Sequence, residues 1–301
     1  ANQRCVREWL EQQSVVGIVE VNDGTFHLPA AHAEVLADPD SLNYLAPLFQ
    51  LLAGATRPLD SIVNAYRTGD GVPYREYGRE FVEGQGAMNR TMFLQQLGSE
   101  WLPAIPDIAA RLDSDPPARI ADVGCGAAWS SIGIARTYPK VVIDGFDLDS
   151  PSVDLARENI RQAGLSDRVT VHVRDAGDPR LAGRYDLVAA FECIHDMSNP
   201  VDALRAMRQL LAPGGLALVV DERVGDHFSV PGAEPLESMM YGWSILHCLL
   251  VGMAQKPSAE TGAVMRADTM RRYGQEAGFH SVDVLPIDNP LFRFYRLRTE
   301  P

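Results

Sequence analysis

Residues 118–126, Ala-Arg-Ile-Ala-Asp-Val-Gly-Cys-Gly, constrain the fold more than any other stretch of the chain. Ile120 and Val123 are apolar and suit a strand, with small Ala121 between them. The run then breaks at Gly124 and Gly126, and Trp129 to Tyr138 follows with Ile132, Ile134 and Ala135 at helical spacing. Strand, glycine turn and helix together bring backbone amides and a helix N-terminus up to a ligand. Glycine is required where a Cβ would hold that ligand away or forbid the turn.

From Ala118 the alternation is regular. Strands are expected at 118–123, 141–147, 168–174, 185–191 and 216–220, with helices at 129–138, 151–163 and 200–211 between them. Asn199 is the expected N-cap of the helix that Pro200 opens, and Pro213-Gly214-Gly215 ends it. A helix at 267–277 precedes two terminal strands, 281–285 and 291–297, expected to pair as a hairpin. This alternation predicts an α/β fold: a doubly wound, mostly parallel, seven-stranded sheet with helices on both faces.

The acid two places before the first glycine makes the turn D-x-G-x-G, from Asp122 to Gly126. This resembles motif I of the class I S-adenosylmethionine-dependent methyltransferases. A dinucleotide fingerprint needs a small residue where Trp129 stands, which disfavours an NAD(P) oxidoreductase. Ligands of such sheets lie beyond the C-terminal strand ends, and each end here carries a matching residue. The resemblance implies S-adenosyl-L-methionine as cofactor, met by Asp122, Gly124, Cys125 and Gly126 at the turn. It also implies Asp147 and Leu148 at the ribose, Asp175 and Ala176 at the adenine, and Phe191 at the fourth strand end. Asp122 is expected to order the loop.

After the fourth strand comes Glu192-Cys193-Ile194-His195-Asp196-Met197-Ser198. It is similar to the His-Asp-Trp-Ser segment of plant-type small-molecule O-methyltransferases, with Met197 in place of Trp and Asn199 in place of the downstream acid. The resemblance implies His195 as general base, with Glu192 or a backbone carbonyl orienting it. An insertion around 222–265 implies a roof over an acceptor pocket, with Tyr241, Trp243 and His247 as acceptor-binding candidates. No His/Asp/Glu cluster has metal-ligand spacing along the chain, so no metal is expected.

Residues 1–36 give a short helix at 5–12 and two strands, 15–21 and 25–28, around Asn22-Asp23-Gly24. Helix plus hairpin resembles the end of a winged helix, whose earlier helices would precede Ala1. Residues 40–68 read as helical, and 68–73 as a linker. The expected division is a winged-helix-like and helical N-terminal module at 1–70 and a methyltransferase domain at 71–301, with 75–112 as cover or bridge.

The net charge of −13, and two arginines against five acids in residues 1–36 (a net of −3), argue against a nucleic-acid partner. A homodimer through the front module is the expected assembly. Four scattered cysteines and no apolar span point to the cytoplasm. The function these readings imply is methyl transfer to a small, apolar or aromatic acceptor, preferably at oxygen. The alternative is a transcription regulator that senses the cofactor.

Overall fold

The computed structural model of the chain describes residues 1–300. Its centre is a seven-stranded sheet built from β3 (Arg119–Val123), β4 (Val142–Asp147), β5 (Val169–Val173), β6 (Tyr185–Phe191), β7 (Leu211–Glu222), β8 (Ser281–Val284) and β9 (Phe292–Arg298). The strand order is β5-β4-β3-β6-β7-β9-β8. The first five strands of that order pair in parallel, and β9 runs antiparallel between β7 and β8. The doubly wound sheet and its terminal hairpin are those the alternation predicts. The order reverses at β3, which places the crevice between β3 and β6 at the glycine turn.

Alternate residues of the central strands feed two apolar layers, as a period of two requires. Ile120, Ile143 and Leu187 pack under α6 (Pro106–Asp113), α7 (Trp129–Thr137) and α8 (Ser150–Gln162). Ala121, Val188 and Val219 pack under α9 (Pro200–Leu210) and α12 (Ala267–Glu276).

The terminal region differs from its sequence reading. Helix α1 runs Gln3–Val15, and the Asn2 side chain accepts from the amides of Arg4 and Cys5. Val15 and Val16 therefore end a helix rather than begin a strand. Gly17, at φ +77°, turns the chain, and β1 is only Glu20–Asn22, paired with β2 (Thr25–His27). Capping and the glycine stop outweigh the β propensity of the valines. Helix α2 is Ala30–Leu36. The helical run expected at 40–68 is two helices, α3 (Pro47–Thr56) and α4 (Leu59–Thr68), because Pro58 cannot continue the ladder.

Those two helices do not stand apart from the residues beyond 70. Leu51, Ala55 and Ile62 share one buried cluster with Val72, Tyr77 and Phe81. Gly71 lies so close to the backbone of Ala254 that a Cβ there would fall 2.1 Å from its nitrogen. The packing therefore runs straight through the boundary suggested at residue 70. Helix α5 (Gly78–Met92) continues as a π-helical segment, Phe93–Trp101, and covers the sheet beside α7.

Two smaller readings also change. Asn199 occupies the N-cap position of α9, but its side chain makes no capping hydrogen bond. Pro213-Gly214-Gly215 lies within β7, at a register shift where Tyr185 pairs with Leu211 and Leu187 with Leu216. The insertion holds α10 (Glu237–Trp243), a π-helical turn Ser244–Cys248 and α11 (Leu249–Gly252). No helix among the described residues is long and apolar enough to cross a membrane.

Candidate active site

The glycine turn is held from both sides. The amides of Gly124 and Cys125 donate to the Phe146 carbonyl at 2.8 and 3.2 Å. Gly124 has φ +70°, and a Cβ there would stand 2.7 Å from Cys193 Sγ. Asp122 is buried beneath the turn, where its carboxylate accepts from the hydroxyls of Ser130 (2.6 Å) and Ser131 (2.7 Å) at the start of α7. Burial pushes its pKa up to about 6 against the pull of those two hydrogen bonds. Asp122 faces away from the cavity above, so it ties the loop to the helix and does not line the ligand space.

That cavity measures about 1460 Å³. A single small-molecule site is typically about 300–1,000 Å³, so there is room for two ligands side by side. Gly124, Cys125 and Gly126 form part of its floor, with Asp147, Leu148 and Asp175 toward one end. Asp147 Oδ2 accepts from the Gly126 amide and Oδ1 from the Asp149 amide, both at 2.9 Å. One lone pair on each oxygen stays available for a pair of hydroxyls. Burial raises the pKa of this carboxyl against those amide bonds. Asp175 Oδ1 accepts from the Gly177 amide at 2.8 Å, and Ala176 and Phe191 complete the wall.

His195 lies past the end of β6 and is buried. Its Nδ1 is 2.5 Å from Asp221 Oδ1 and 2.7 Å from Glu222 Oε2. The orienting partner is therefore Asp221, at the end of β7, and not Glu192. Parallel pairing explains this: Phe191 sits opposite Val220, so the residues just beyond β6 meet the last two of β7. The sequence signal was an acid at one more strand end, Asp221-Glu222, which sequence reasoning passed over as a lead into the insertion.

Burial alone would lower the pKa of His195, but the charges of Glu222 and Asp221 outweigh it and hold the pKa well above the ordinary histidine value. Asp221 lies below the usual carboxylate range: burial opposes its ionisation, and the imidazolium prevails. Glu222 is pushed well above its ordinary value, chiefly by burial, against the pull of His195. The three side chains come from two strand ends, a juxtaposition that spacing along the chain cannot show. A tetrahedral ion with bonds of about 2.0–2.2 Å would hold nitrogen and oxygen ligands roughly 3.4 Å apart. Both separations, 2.5 and 2.7 Å, are shorter than that, and the first is a hydrogen bond.

The far wall comes from the insertion and from the N-terminal helices. His247 stacks on Phe81 with centroids 4.1 Å apart, and Trp243 lines the cavity one turn before it. Burial drives the pKa of His247 down to about 3, and its Nε2 has no partner. Tyr241 is not in the wall; its hydroxyl accepts from Arg266 at 3.2 Å. Two residues before Trp243, it falls on another side of the helix. Sequence reasoning missed Leu45, Leu48 and Tyr74, which also reach the cavity. The only signal at Leu45 and Leu48 was apolar helical spacing, which any core helix shares, and Tyr74 lay outside every helical reading.

Residues 120–215 match the family described as "Methyltransferase domain". A ubiquinone biosynthesis O-methyltransferase of Roseobacter denitrificans is 36% identical over 101 residues, 33% of this chain and 38% of that protein. The chain spans 24% to 47% of the length of the curated relatives it matches. In the solved structure of an O-methyltransferase family protein from Burkholderia thailandensis, 14% identical, the alignment covers 99% of this chain and 84% of that one with a TM-score of 0.67. An O-methyltransferase from neocarzinostatin biosynthesis was solved with S-adenosyl-L-homocysteine and 1,4-dihydroxy-2-naphthoic acid. It is 18% identical, and the alignment covers 100% of this chain and 86% of that one with a TM-score of 0.56. At these identities the likeness to the solved structures is one of fold. Residues 120–215 carry a methyltransferase domain of that description.

Proposed function

We propose that this chain transfers the methyl group of S-adenosyl-L-methionine to a hydroxyl of a small, apolar or aromatic acceptor, with His195 as the base. One observation carries the reading: the glycine turn with Asp147 and the imidazole of His195, held from behind by Asp221, line the same cavity. Asp147 would hold the ribose hydroxyls, the amides around Gly126 would meet the methionine part, and Asp175 and Ala176 would flank the adenine. When bound, the cofactor supplies an electrophilic methyl on a sulfonium.

The protein's own part is alignment, exclusion of water and removal of one proton. Asp221 holds the Nδ1 proton of His195, which fixes the tautomer whose lone pair is on Nε2. The raised pKa makes His195 a strong base once neutral, so transfer rises with pH above the ordinary histidine range. Trp243 and His247 roof the acceptor.

His195→Ala tests the assignment. It is expected to lower the transfer rate by about 10²–10⁴-fold and to leave S-adenosylmethionine affinity nearly unchanged. A loss of less than about tenfold, or a parallel loss of cofactor affinity, means that alignment alone carries the reaction.

The front module is read as a dimerisation surface. Trp9, Val15 and Phe49 are 58%, 87% and 68% exposed there, which fits an apolar face shared between two copies. A cytoplasmic setting agrees with the four free cysteines.

A further inference from the structure

Tyr74 stands outside residues 120–215, yet its side chain lines the same cavity as Asp147, Asp149 and Ser152. It opens one short helical turn, Tyr74–Glu76, between α4 and α5. That turn is pinned on both sides to the helices of the insertion. The Val72 amide donates to the Leu250 carbonyl and the Tyr77 hydroxyl to the Leu246 carbonyl, both at 2.9 Å. The Tyr74 ring packs edge-on to His247 and Phe81, with centroids 5.6 and 5.9 Å apart. The ring therefore belongs to the far wall of the cavity.

Its hydroxyl belongs to the other end. It lies within hydrogen-bonding reach of Ser152 and in the field of Asp147 and Asp149. Ser152 Oγ donates to Asp149 Oδ2 at 2.7 Å, and the Asp149 amide donates to Asp147 Oδ1 at 2.9 Å. A short chain of contacts thus runs from the phenol to the carboxylate that would hold the ribose. Burial, with Asp147 and Asp149 adding to it, raises the pKa of the phenol well above its ordinary value, so the hydroxyl keeps its proton.

A buried donor at this place has a use. A ribose hydroxyl that gives its proton to Asp147 keeps both lone pairs on its own oxygen, and a carboxylate cannot fill them. The amides of Gly126 and Asp149 already donate to Asp147, and the Ser152 hydroxyl to Asp149. Arg174 is bonded to Asp178, and Arg75, which also lines the cavity, is exposed.

We propose that Tyr74 is a cofactor-binding residue: its phenol donates a hydrogen bond to the oxygen of one ribose hydroxyl while Asp147 accepts that hydroxyl's proton. This rests on the methyl-transfer reading of the cavity. Part of the nucleoside site is then supplied from outside residues 120–215, by the segment that also carries the wall around His247.

Calorimetry on the full chain tests this with Tyr74→Phe, which keeps the ring against His247 and Phe81 and removes only the hydroxyl. The probes are S-adenosylhomocysteine, 5′-methylthioadenosine, and the 2′-deoxy and 3′-deoxy forms of the latter. 5′-Methylthioadenosine has no carboxylate, so Arg75 cannot pair with it. S-adenosylhomocysteine and 5′-methylthioadenosine are expected to lose affinity alike, by about 3–10-fold, the scale of one net hydrogen bond. The deoxy form that lacks the hydroxyl met by Tyr74 should bind parent and variant within about twofold of each other. The melting temperature without ligand should stay close to that of the parent protein.

A loss of less than about twofold for S-adenosylhomocysteine overturns the proposal. So does an equal loss for all four probes, which would mean that Tyr74 acts through the shape of the wall. A loss for S-adenosylhomocysteine with none for 5′-methylthioadenosine moves the contact to the methionine part and overturns it too. Each of these outcomes leaves the parent protein binding S-adenosylhomocysteine, and the methyl-transfer reading with it. A parent protein that binds none of the four probes overturns both.

Discussion

Asp221→Asn isolates the contact on which the chemistry depends. Asp221 is fully buried, and its Oδ1 is 2.5 Å from His195 Nδ1. The substitution keeps the shape and removes one charge. A hydrogen bond between charged groups contributes about 1.5–3 kcal/mol, so the plateau transfer rate should fall roughly 10- to 150-fold. The titration should move as well. Asp221 and Glu222 are what raise the pKa of His195 against burial, so the variant's imidazole should lose its proton at lower pH.

The folded pKa of His195 is raised, so its contribution to stability is full below the ordinary histidine value and is lost as pH rises through the raised one. That of Asp221 is lowered, so its contribution is present above the ordinary carboxylate value and is lost as pH falls through the lowered one. The parent protein should therefore exceed the variant in stability most between about pH 4 and 6.5, the ordinary values of the two groups. Nitrogen NMR of the imidazoles, assigned with His195→Ala among the seven histidines, reads the titration with no acceptor needed. An imidazole that titrates as in the parent protein, with stability equally unchanged, would refute the reasoning.

Asp147→Ala should weaken S-adenosylhomocysteine binding by about 1.5–3 kcal/mol in calorimetry, and neither NAD nor NADP should bind the parent protein. Asp122 has its folded pKa raised to about 6, so its contribution is present at low pH and lost as pH rises toward that value. Chemical denaturation should show Asp122→Asn gaining on the parent protein from pH 5 to 7.5, by at most about 3 kcal/mol; a difference that stays flat with pH would mean the carboxyl is not shifted. Duplex DNA at physiological salt should give no change in anisotropy; micromolar binding with a steep salt slope would reveal a basic face that the charge count hides.

What the sequence determined by itself was local or periodic. The strand, glycine turn and helix at 118–137 follow from a few neighbouring residues, because only glycine meets the backbone angles and close approach there. The parallel sheet follows from strands and helices alternating at regular intervals, which leaves few ways to bury both faces. The strand-end positions of Asp147, Asp175 and His195 follow from that order.

Tertiary structure decided which of these groups touch. Asp221 meets His195 because β6 and β7 pair side by side, a fact of pairing that the 25 residues between them do not encode locally. Asp122 turns under the loop because α7 brings two serine hydroxyls to it. The phase of α10 puts Trp243 in the cavity wall and sends Tyr241 to Arg266. Leu48 reaches the cavity because the helices before residue 70 share a core with Phe81, and Leu45 follows on the segment that leads into α3. Apolar spacing says that a face is buried, and only the packed chain says against what.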